Sequence, residues 1–196
     1  MHIALFGTSA DPPTPGHQMI LRWLSDRFDR VAIWAADNPF KSHQTPLEHR
    51  MQMLELAIDD LHLPRQNVQL YPQLSYPRTL RTVEAAREIW ADAALTLIIG
   101  ADLVPQLPKW YQVEAIFAQV SLLVVPRPGY DIEASGLAEL QQRGATVTIA
   151  DLTGLDISSS AYREGEAEGL APPIEAYIHR EHLYECHESR EKQFAR

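Results

Sequence analysis

The residues best suited to phosphate chemistry lie directly after the first apolar run of the chain, at residues 3–6. They combine small, acidic and hydroxyl side chains with one histidine: Gly7, Thr8, Ser9, Asp11, Thr14, Gly16 and His17. Small residues let a phosphate approach the backbone closely, and the amides at a following helix start offer donors at the positive end of the helix dipole. A plain proline-rich turn would have a similar composition, because glycine and proline are common in loops. The segment is therefore compatible with both structures.

A second group of hydroxyl side chains lies towards the C-terminal end of the chain, at residues 157–163. Ser158 and Ser159 can cap a helix and leave its first amides free for a phosphate, and Arg163 follows about one turn later as a donor fork. A serine cap followed by a solvated arginine is the alternative. The presence of both groups in one chain favours the phosphate interpretation.

Six short apolar runs must position these groups, and they lie at residues 3–6, 31–35, 68–71, 95–99, 121–125 and 147–149. They lack polar alternation, which is typical of parallel strands buried on both faces. Stretches with helical periodicity lie between them, clearest at 47–61 and 80–90. The pattern predicts an α/β fold with a doubly wound, open parallel sheet of about six strands. Ligands of such sheets bind beyond the carboxyl ends of the strands, where the strand order reverses.

The size and charge of the chain restrict the function further. A length of 196 residues suits one domain, which we expect over 1–187, with a flexible tail at 188–196. The net charge of −9 argues against nucleic acid and anionic membranes as partners, since both require a concentrated basic surface. The single cysteine, Cys186, the absence of a signal-peptide pattern and the lack of an apolar span predict a cytoplasmic protein. The sequence does not decide whether the chain forms a homo-oligomer.

The two phosphate segments together resemble the signatures of the HxGH nucleotidyltransferase superfamily. Residues 7–17 are similar to its GGTFDPxHxGH motif, although Thr14 stands where the first histidine is usual. Residues 157–163 are similar to its ISSTxxR motif. The resemblance implies a Rossmann-like nucleotidyltransferase fold. It also implies that ATP is bound by Gly7, Thr8, Ser9, Asp11, Gly16, Gly100, Asp102, Ser158 and Ser159.

Further segments resemble the bacterial nicotinate-mononucleotide adenylyltransferase branch of that superfamily. They lie at residues 38–41, 50–53, 75–80, 98–111, 124–129 and 173–184. The resemblance implies that the mononucleotide is bound by Lys41, Ser75, Tyr76, Thr79 and Trp110. Asp102 can accept from sugar hydroxyls, and an indole offers a flat face to a pyridine ring. The segment 75–80 lacks the aspartate of the related SYTxDTL motif, and Trp110 could alternatively belong to the core.

The resemblance implies a reaction in which the mononucleotide phosphate attacks the α-phosphorus of ATP and expels pyrophosphate. His17, helped by Thr14, would stabilise the α-phosphate, and Ser159 and Arg163 would hold the departing phosphates. Mg²⁺ would arrive with ATP, without a metal site of the protein's own. Two alternatives stay open. The acceptor could be nicotinamide mononucleotide or phosphopantetheine, or the chain could be a nucleotide-binding regulator without turnover.

Overall fold

A computed structural model describes residues 1–37, 44–152, 158–165 and 169–184. Six parallel strands form one sheet in the order β3-β2-β1-β4-β5-β6. Their bounds are β1 His2–Thr8, β2 Arg30–Ala35, β3 Val68–Leu70, β4 Ala94–Gly100, β5 Ser121–Val125 and β6 Val147–Ile149. The predicted fold class is confirmed, and each predicted strand is present with its ends shifted by at most two residues.

Helices connect successive strands, and two more follow β6. They are α1 Pro15–Arg27, α2 Leu47–Asp60, α3 Thr79–Ile89, α4 Val113–Phe117, α5 Ala134–Gln142, α6 Ser159–Arg163 and α7 Pro172–Arg180. Single 3₁₀ turns lie at Pro72–Leu74, Ala101–Leu103 and Leu107–Lys109. No helix in the described parts of the chain is both long and apolar enough to cross a bilayer.

The central strands are apolar because both of their faces are covered. In β1 the side chains of Ile3, Ala4 and Leu5 are fully buried, and β2 and β5 are buried almost throughout. The apolar stripe of α2 places Met51 and Leu54 against this main core. A continuous apolar run therefore forms a strand here without the polar alternation that a half-exposed strand would need.

A second, smaller apolar cluster joins the C-terminal part of the chain to α2. Met53 and Ala57, on the flank of α2, pack with Ile174, Tyr177 and Ile178 of α7. The Tyr177 hydroxyl also lies 2.8 Å from Nδ1 of His49. This cluster holds α7 against α2.

The strand order reverses at β1. The chain proceeds from β1 to β2 and β3 on one side, and then crosses to β4 on the other, so β1 has β2 and β4 as neighbours. In open sheets of this type, ligands bind beyond the carboxyl ends of the strands at such a reversal point. The first signature segment follows β1 and the Gly100–Asp102 segment follows β4, as the sequence predicts.

Candidate active site

His17 lies in the first turn of α1 and its ring is held at both nitrogens. The backbone N–H of Thr14, the N-cap residue, donates to Nδ1 at 3.0 Å, and the Thr14 hydroxyl lies 2.9 Å from the same atom. Nε2 lies 3.0 Å from the Thr8 hydroxyl at the end of β1. A backbone amide can only donate, so Nδ1 must accept, and the proton of the neutral ring resides on Nε2. The geometry therefore presents an Nε2–H donor at the carboxyl end of β1.

Thr14 is almost completely buried, at 1% exposure. It forms a reciprocal capping box with His17, in which each residue's side chain pairs with the other's backbone N–H. Its hydroxyl is therefore directed at the histidine ring and the start of α1. The helping role that the resemblance implies for Thr14 stays a prediction.

The loop between β1 and α1 is shaped by a buried arginine. Arg50 of α2, 1% exposed, donates to the carbonyl oxygens of Ser9 at 3.1 Å, Ala36 at 2.9 Å and Thr45 at 2.8 Å. It also forms an ion pair with Asp37. One side chain thus connects the loop after β1 to the segments that follow β2 and precede α2.

Ala10, within the same loop, has a left-handed backbone with φ of 44° and is buried. Non-glycine residues adopt this conformation at a cost of about 1 kcal/mol. The contacts on either side of Ala10 therefore determine the shape of the loop more strongly than its own backbone preference does.

The second signature segment lies directly against this loop. Ser158 caps α6 by accepting from the Ala161 N–H at 3.0 Å. Ser159 donates its hydroxyl hydrogen to the Pro12 carbonyl oxygen at 2.7 Å, and Arg163 donates to the Asp11 carbonyl oxygen. The structure thus brings together two segments that lie almost 150 residues apart in the chain.

Asp11 is the meeting point of these contacts. Its side chain is buried, accepting from the Tyr184 hydroxyl at 2.6 Å and from the Thr45 N–H at 3.2 Å. Burial and the Asp11 hydrogen bond both raise the pKa of Tyr184 well above the ordinary tyrosine value. The carboxylate of Asp11 is thereby occupied by protein donors, and it connects the C-terminal segment to the signature loop.

The two strand-end glycines make room for side chains. A Cβ at Gly7 would lie 2.7 Å from the indole ring of Trp34, its partner on β2, so packing alone requires a glycine there. A Cβ at Gly100 would overlap the carboxylate of Asp102. Asp102 in turn forms an ion pair with Arg127 at 3.2 Å. The Asp102 carboxylate therefore lies directly over the end of β4.

The predicted mononucleotide residues lie on two segments. Ser75 donates its hydroxyl hydrogen to the Ala35 carbonyl oxygen at 2.7 Å, which ties its segment to the end of β2. Tyr76 is exposed, and Thr79 is the first residue of α3. Trp110 is half-buried and packs against the main core with part of its ring. Trp110 therefore contacts the core and is also partly accessible, so the two alternatives that the sequence left open are not exclusive.

Comparison with known proteins places this site in a family. Residues 5–165 match the model of the cytidylyltransferase-like family. A probable nicotinate-nucleotide adenylyltransferase of Synechocystis sp. is 41% identical over 94% of this chain and 99% of the relative. The corresponding protein of Gemmatimonas aurantiaca is 32% identical over 86% of this chain and 82% of its own length. The chain belongs to the cytidylyltransferase-like family.

The fold comparison agrees. The nicotinic acid mononucleotide adenylyltransferase of Plasmodium falciparum, solved with NaAD, superimposes with a TM-score of 0.80 at 19% identity, over 93% of this chain and 97% of that one. The predicted resemblance and the Rossmann-like nucleotidyltransferase fold are both confirmed. This member of the cytidylyltransferase-like family is a nucleotidyltransferase.

The predicted flexible tail at residues 188–196 lies outside the described residues and stays a prediction. Lys41 and Ile157 lie outside the described residues, so the contribution of Lys41 stays a prediction. Across residues 1–37, 44–152, 158–165 and 169–184, no cluster of three or more histidine, cysteine or carboxylate side chains is placed to hold a metal ion.

The sequence interpretation did not assign site contacts to Arg50, Tyr184 or Trp34. A signal existed for Arg50, because it lies at the fourth position of α2, among the apolar residues of a buried stripe. A charged residue in such a stripe indicates a buried arginine with several acceptors. Tyr184 had no comparable signal, because its partner Asp11 lies 173 positions away.

Proposed function

We propose that this nucleotidyltransferase transfers the adenylyl group of ATP to nicotinate mononucleotide, giving nicotinate adenine dinucleotide and pyrophosphate in NAD biosynthesis. The identity to the Synechocystis relative over nearly the whole chain supports this acceptor. The main structural support for the chemistry is that Ser159 and Arg163 of the second signature segment contact the loop that leads to His17.

In the proposed reaction, a phosphate oxygen of the mononucleotide forms a bond to the α-phosphorus of ATP. The bond from that phosphorus to the β-bridging oxygen breaks, and pyrophosphate leaves with the electron pair. No covalent enzyme intermediate is needed, so the protein's tasks are positioning and charge stabilisation. Mg²⁺ enters as part of the MgATP substrate, coordinated mainly by phosphate oxygens.

His17 has the geometry of a donor to the α-phosphate. Its Nε2–H is fixed in direction by the Thr14 amide at Nδ1, and its present acceptor, the Thr8 hydroxyl, lies at the end of β1 where a phosphate can displace it. Such a preorganised donor stabilises charge that develops in the transition state. Ser159 and Arg163, which now contact the carbonyl oxygens of the loop, would hold the β- and γ-phosphates.

In the proposed complex, residues of the neighbouring loops bind the ribose and the pyridine ring. Asp102, over the end of β4, would accept hydroxyl hydrogens of a ribose. Ser75, Tyr76, Thr79 and Trp110, with Lys41, would surround the mononucleotide. The orientation follows from the chemistry, because the mononucleotide phosphate must reach the α-phosphate beside His17 while its ring lies further out.

A coupled assay of pyrophosphate release tests this function. Purified protein with MgATP and nicotinate mononucleotide should release pyrophosphate and form the dinucleotide in equal amounts. Omission of the mononucleotide should abolish release. The same assay is repeated with nicotinamide mononucleotide and with phosphopantetheine. A protein that binds ATP but releases no pyrophosphate with any of these three acceptors would instead be a nucleotide-binding regulator.

A further inference from the structure

Arg78 occupies a distinctive position between the two segments of the proposed mononucleotide site. It is the N-cap residue of α3 and is exposed. Its guanidinium carbon lies 4.3 Å from the centroid of the Tyr111 ring. Tyr111, itself 51% exposed, directly follows Trp110. A stacked arginine therefore connects the segment that follows β3 to the segment that follows β4.

This contact lies over the carboxyl edge of the sheet. The strands β3 and β4 are separated by β2 and β1, so the two segments approach each other from opposite sides of the point where the strand order reverses. Helix α3, which Arg78 caps, also contacts α4. Arg78 therefore lies where the two segments that we assign to the mononucleotide meet.

The positive charge of Arg78 has no acidic neighbour among the described residues. Several other arginines of the chain are paired: Arg50 with Asp37, Arg81 with Glu84, Arg127 with Asp102, and Arg143 with Glu114. Arg78 instead stacks on an aromatic face, which restrains a guanidinium and leaves its N–H edge available to a planar anion. Arg78 thus combines an exposed positive charge with an aromatic contact that restrains it.

We propose that Arg78 recognises the ring carboxylate of the mononucleotide and thereby sets a preference for the acid over the amide. This inference rests on the proposed function. The substrate carries two anionic groups, and in the proposed reaction its phosphate reacts beside His17, so the carboxylate is the group left for a cation on the mononucleotide segments. A guanidinium binds a carboxylate through two parallel hydrogen bonds, whereas a neutral amide offers it only one acceptor oxygen.

The preference therefore combines charge with hydrogen-bond geometry. Exposed ion pairs contribute little, but a bidentate pair that the substrate ring partly shields from water contributes more. We expect roughly a five- to twentyfold share of the acid-over-amide ratio to depend on Arg78. Its replacement should leave the amide reaction almost unchanged, because the amide gains little from the charge.

The test compares wild-type protein, Arg78→Gln and the matched control Arg81→Gln. Arg81 lies on the same helix, is exposed and pairs with Glu84, outside the proposed site. The measured quantity is kcat/KM for nicotinate mononucleotide and for nicotinamide mononucleotide, at saturating MgATP. In Arg78→Gln the value for the acid should fall by about five- to twentyfold, mainly through KM, with the value for the amide within about twofold of wild type. Arg81→Gln should match wild type, and Arg78→Lys should recover part of the acid preference.

Each other outcome overturns the inference. An equal loss with both mononucleotides would show that Arg78 acts on the phosphate or on the folded structure, and an unchanged ratio would remove it from recognition. A thermal unfolding midpoint close to wild type for Arg78→Gln separates these cases from misfolding. If the wild-type protein uses neither mononucleotide, the proposed function itself fails. If it uses the acid and Arg78→Gln does so equally well, only the inference about Arg78 fails.

Discussion

At the scale of single residues, the direction of one N–H bond organises the site. The amide of Thr14 makes Nδ1 of His17 an acceptor, and this places the ring proton on Nε2. A histidine with both nitrogens facing water would spend part of its time in the wrong tautomer or orientation. The fixed ring can stabilise a developing charge without first reorganising.

His17→Ala removes this donor and should lower kcat by roughly 100- to 1,000-fold, as expected for the loss of one preorganised transition-state donor. ATP affinity should change far less, because the interaction strengthens mainly as the transition state forms. Steady-state kinetics with binding titration of ATP gives both quantities. Near-normal kcat in the alanine variant would remove His17 from the catalytic role.

Thr14→Val separates the two roles available to Thr14. Valine keeps the shape and the backbone N–H that holds Nδ1, but loses the hydroxyl of the capping box. If Thr14 acts by holding His17, kcat should fall by only about three- to tenfold, and the free energy of unfolding should decrease by about 1 kcal/mol. A loss approaching that of His17→Ala would instead indicate that the hydroxyl contacts a phosphate directly.

The sequence could single out candidate site residues but not their contacts. His17, Ser159 and Arg163 are marked by residue type and spacing, and the fold places all three at one loop. Gly7 was predicted for phosphate approach, and the structure adds the indole of Trp34 as a packing reason for a glycine. Such a contact depends on strand register, which a local pattern does not specify.

At the scale of elements, the loop between β1 and α1 is held from three directions. Helix α2 reaches it through Arg50, helix α6 through Ser159 and Arg163, and the C-terminal segment through Tyr184. The loop has little regular structure of its own. The contacts with the surrounding elements therefore determine the shape of the loop. Because these contacts hold the loop, Ala10 can keep its strained left-handed backbone.

Arg50→Met should destabilise the protein by about 2–4 kcal/mol, because three carbonyl oxygens lose their buried donor while methionine fills the space. The loss of the ion pair adds little, because the side chain of Asp37 is largely exposed. Urea unfolding monitored by tryptophan fluorescence measures the change. Arg81→Met, at an exposed position, serves as the control and should stay within about 0.5 kcal/mol of wild type. A loss below 1 kcal/mol in Arg50→Met would show that water replaces the arginine.

Element prediction worked where periodicity is long or burial is complete. All six strands were predicted: the central ones produce uninterrupted apolar runs through two-sided burial, whereas β3 and β6 are short edge strands that are only partly buried. Helices α2 and α3 have clear stripes. Helices α4 and α5 were not predicted. The first has five residues, and in the second only Leu140 is buried, so neither produces a recognisable pattern.

At the scale of the whole molecule, the C-terminal region completes a site that begins at the N-terminus. The small cluster around Ile174 and Tyr177 packs α7 onto α2, and this places Tyr184 against Asp11. The hydrogen bond from Tyr184 to Asp11 connects the C-terminal segment to the signature loop. The protonation state of Tyr184 therefore affects the stability of the whole fold. This effect is measurable as a pH dependence.

Tyr184→Phe should reduce stability near pH 8 by about 1–2 kcal/mol, because Asp11 loses a buried donor. The difference from wild type should then shrink as the pH rises. Burial and the Asp11 hydrogen bond raise the pKa of Tyr184 in the folded protein, whereas the unfolded chain titrates near the ordinary value of about 10. Above that pH the unfolded chain releases a proton that the folded protein retains, so wild-type stability falls by up to about 1.4 kcal/mol per pH unit from this group.

The phenylalanine variant lacks this contribution, while Tyr162 and Tyr177, whose pKa values burial also raises, titrate in both proteins and cancel from the comparison. Urea unfolding of the two proteins between pH 8 and pH 11 should therefore give free-energy curves that converge above pH 10. Parallel curves over the whole range would mean that the Tyr184 hydroxyl keeps an ordinary pKa, and that the contact with Asp11 does not connect the C-terminal segment to the signature loop in solution.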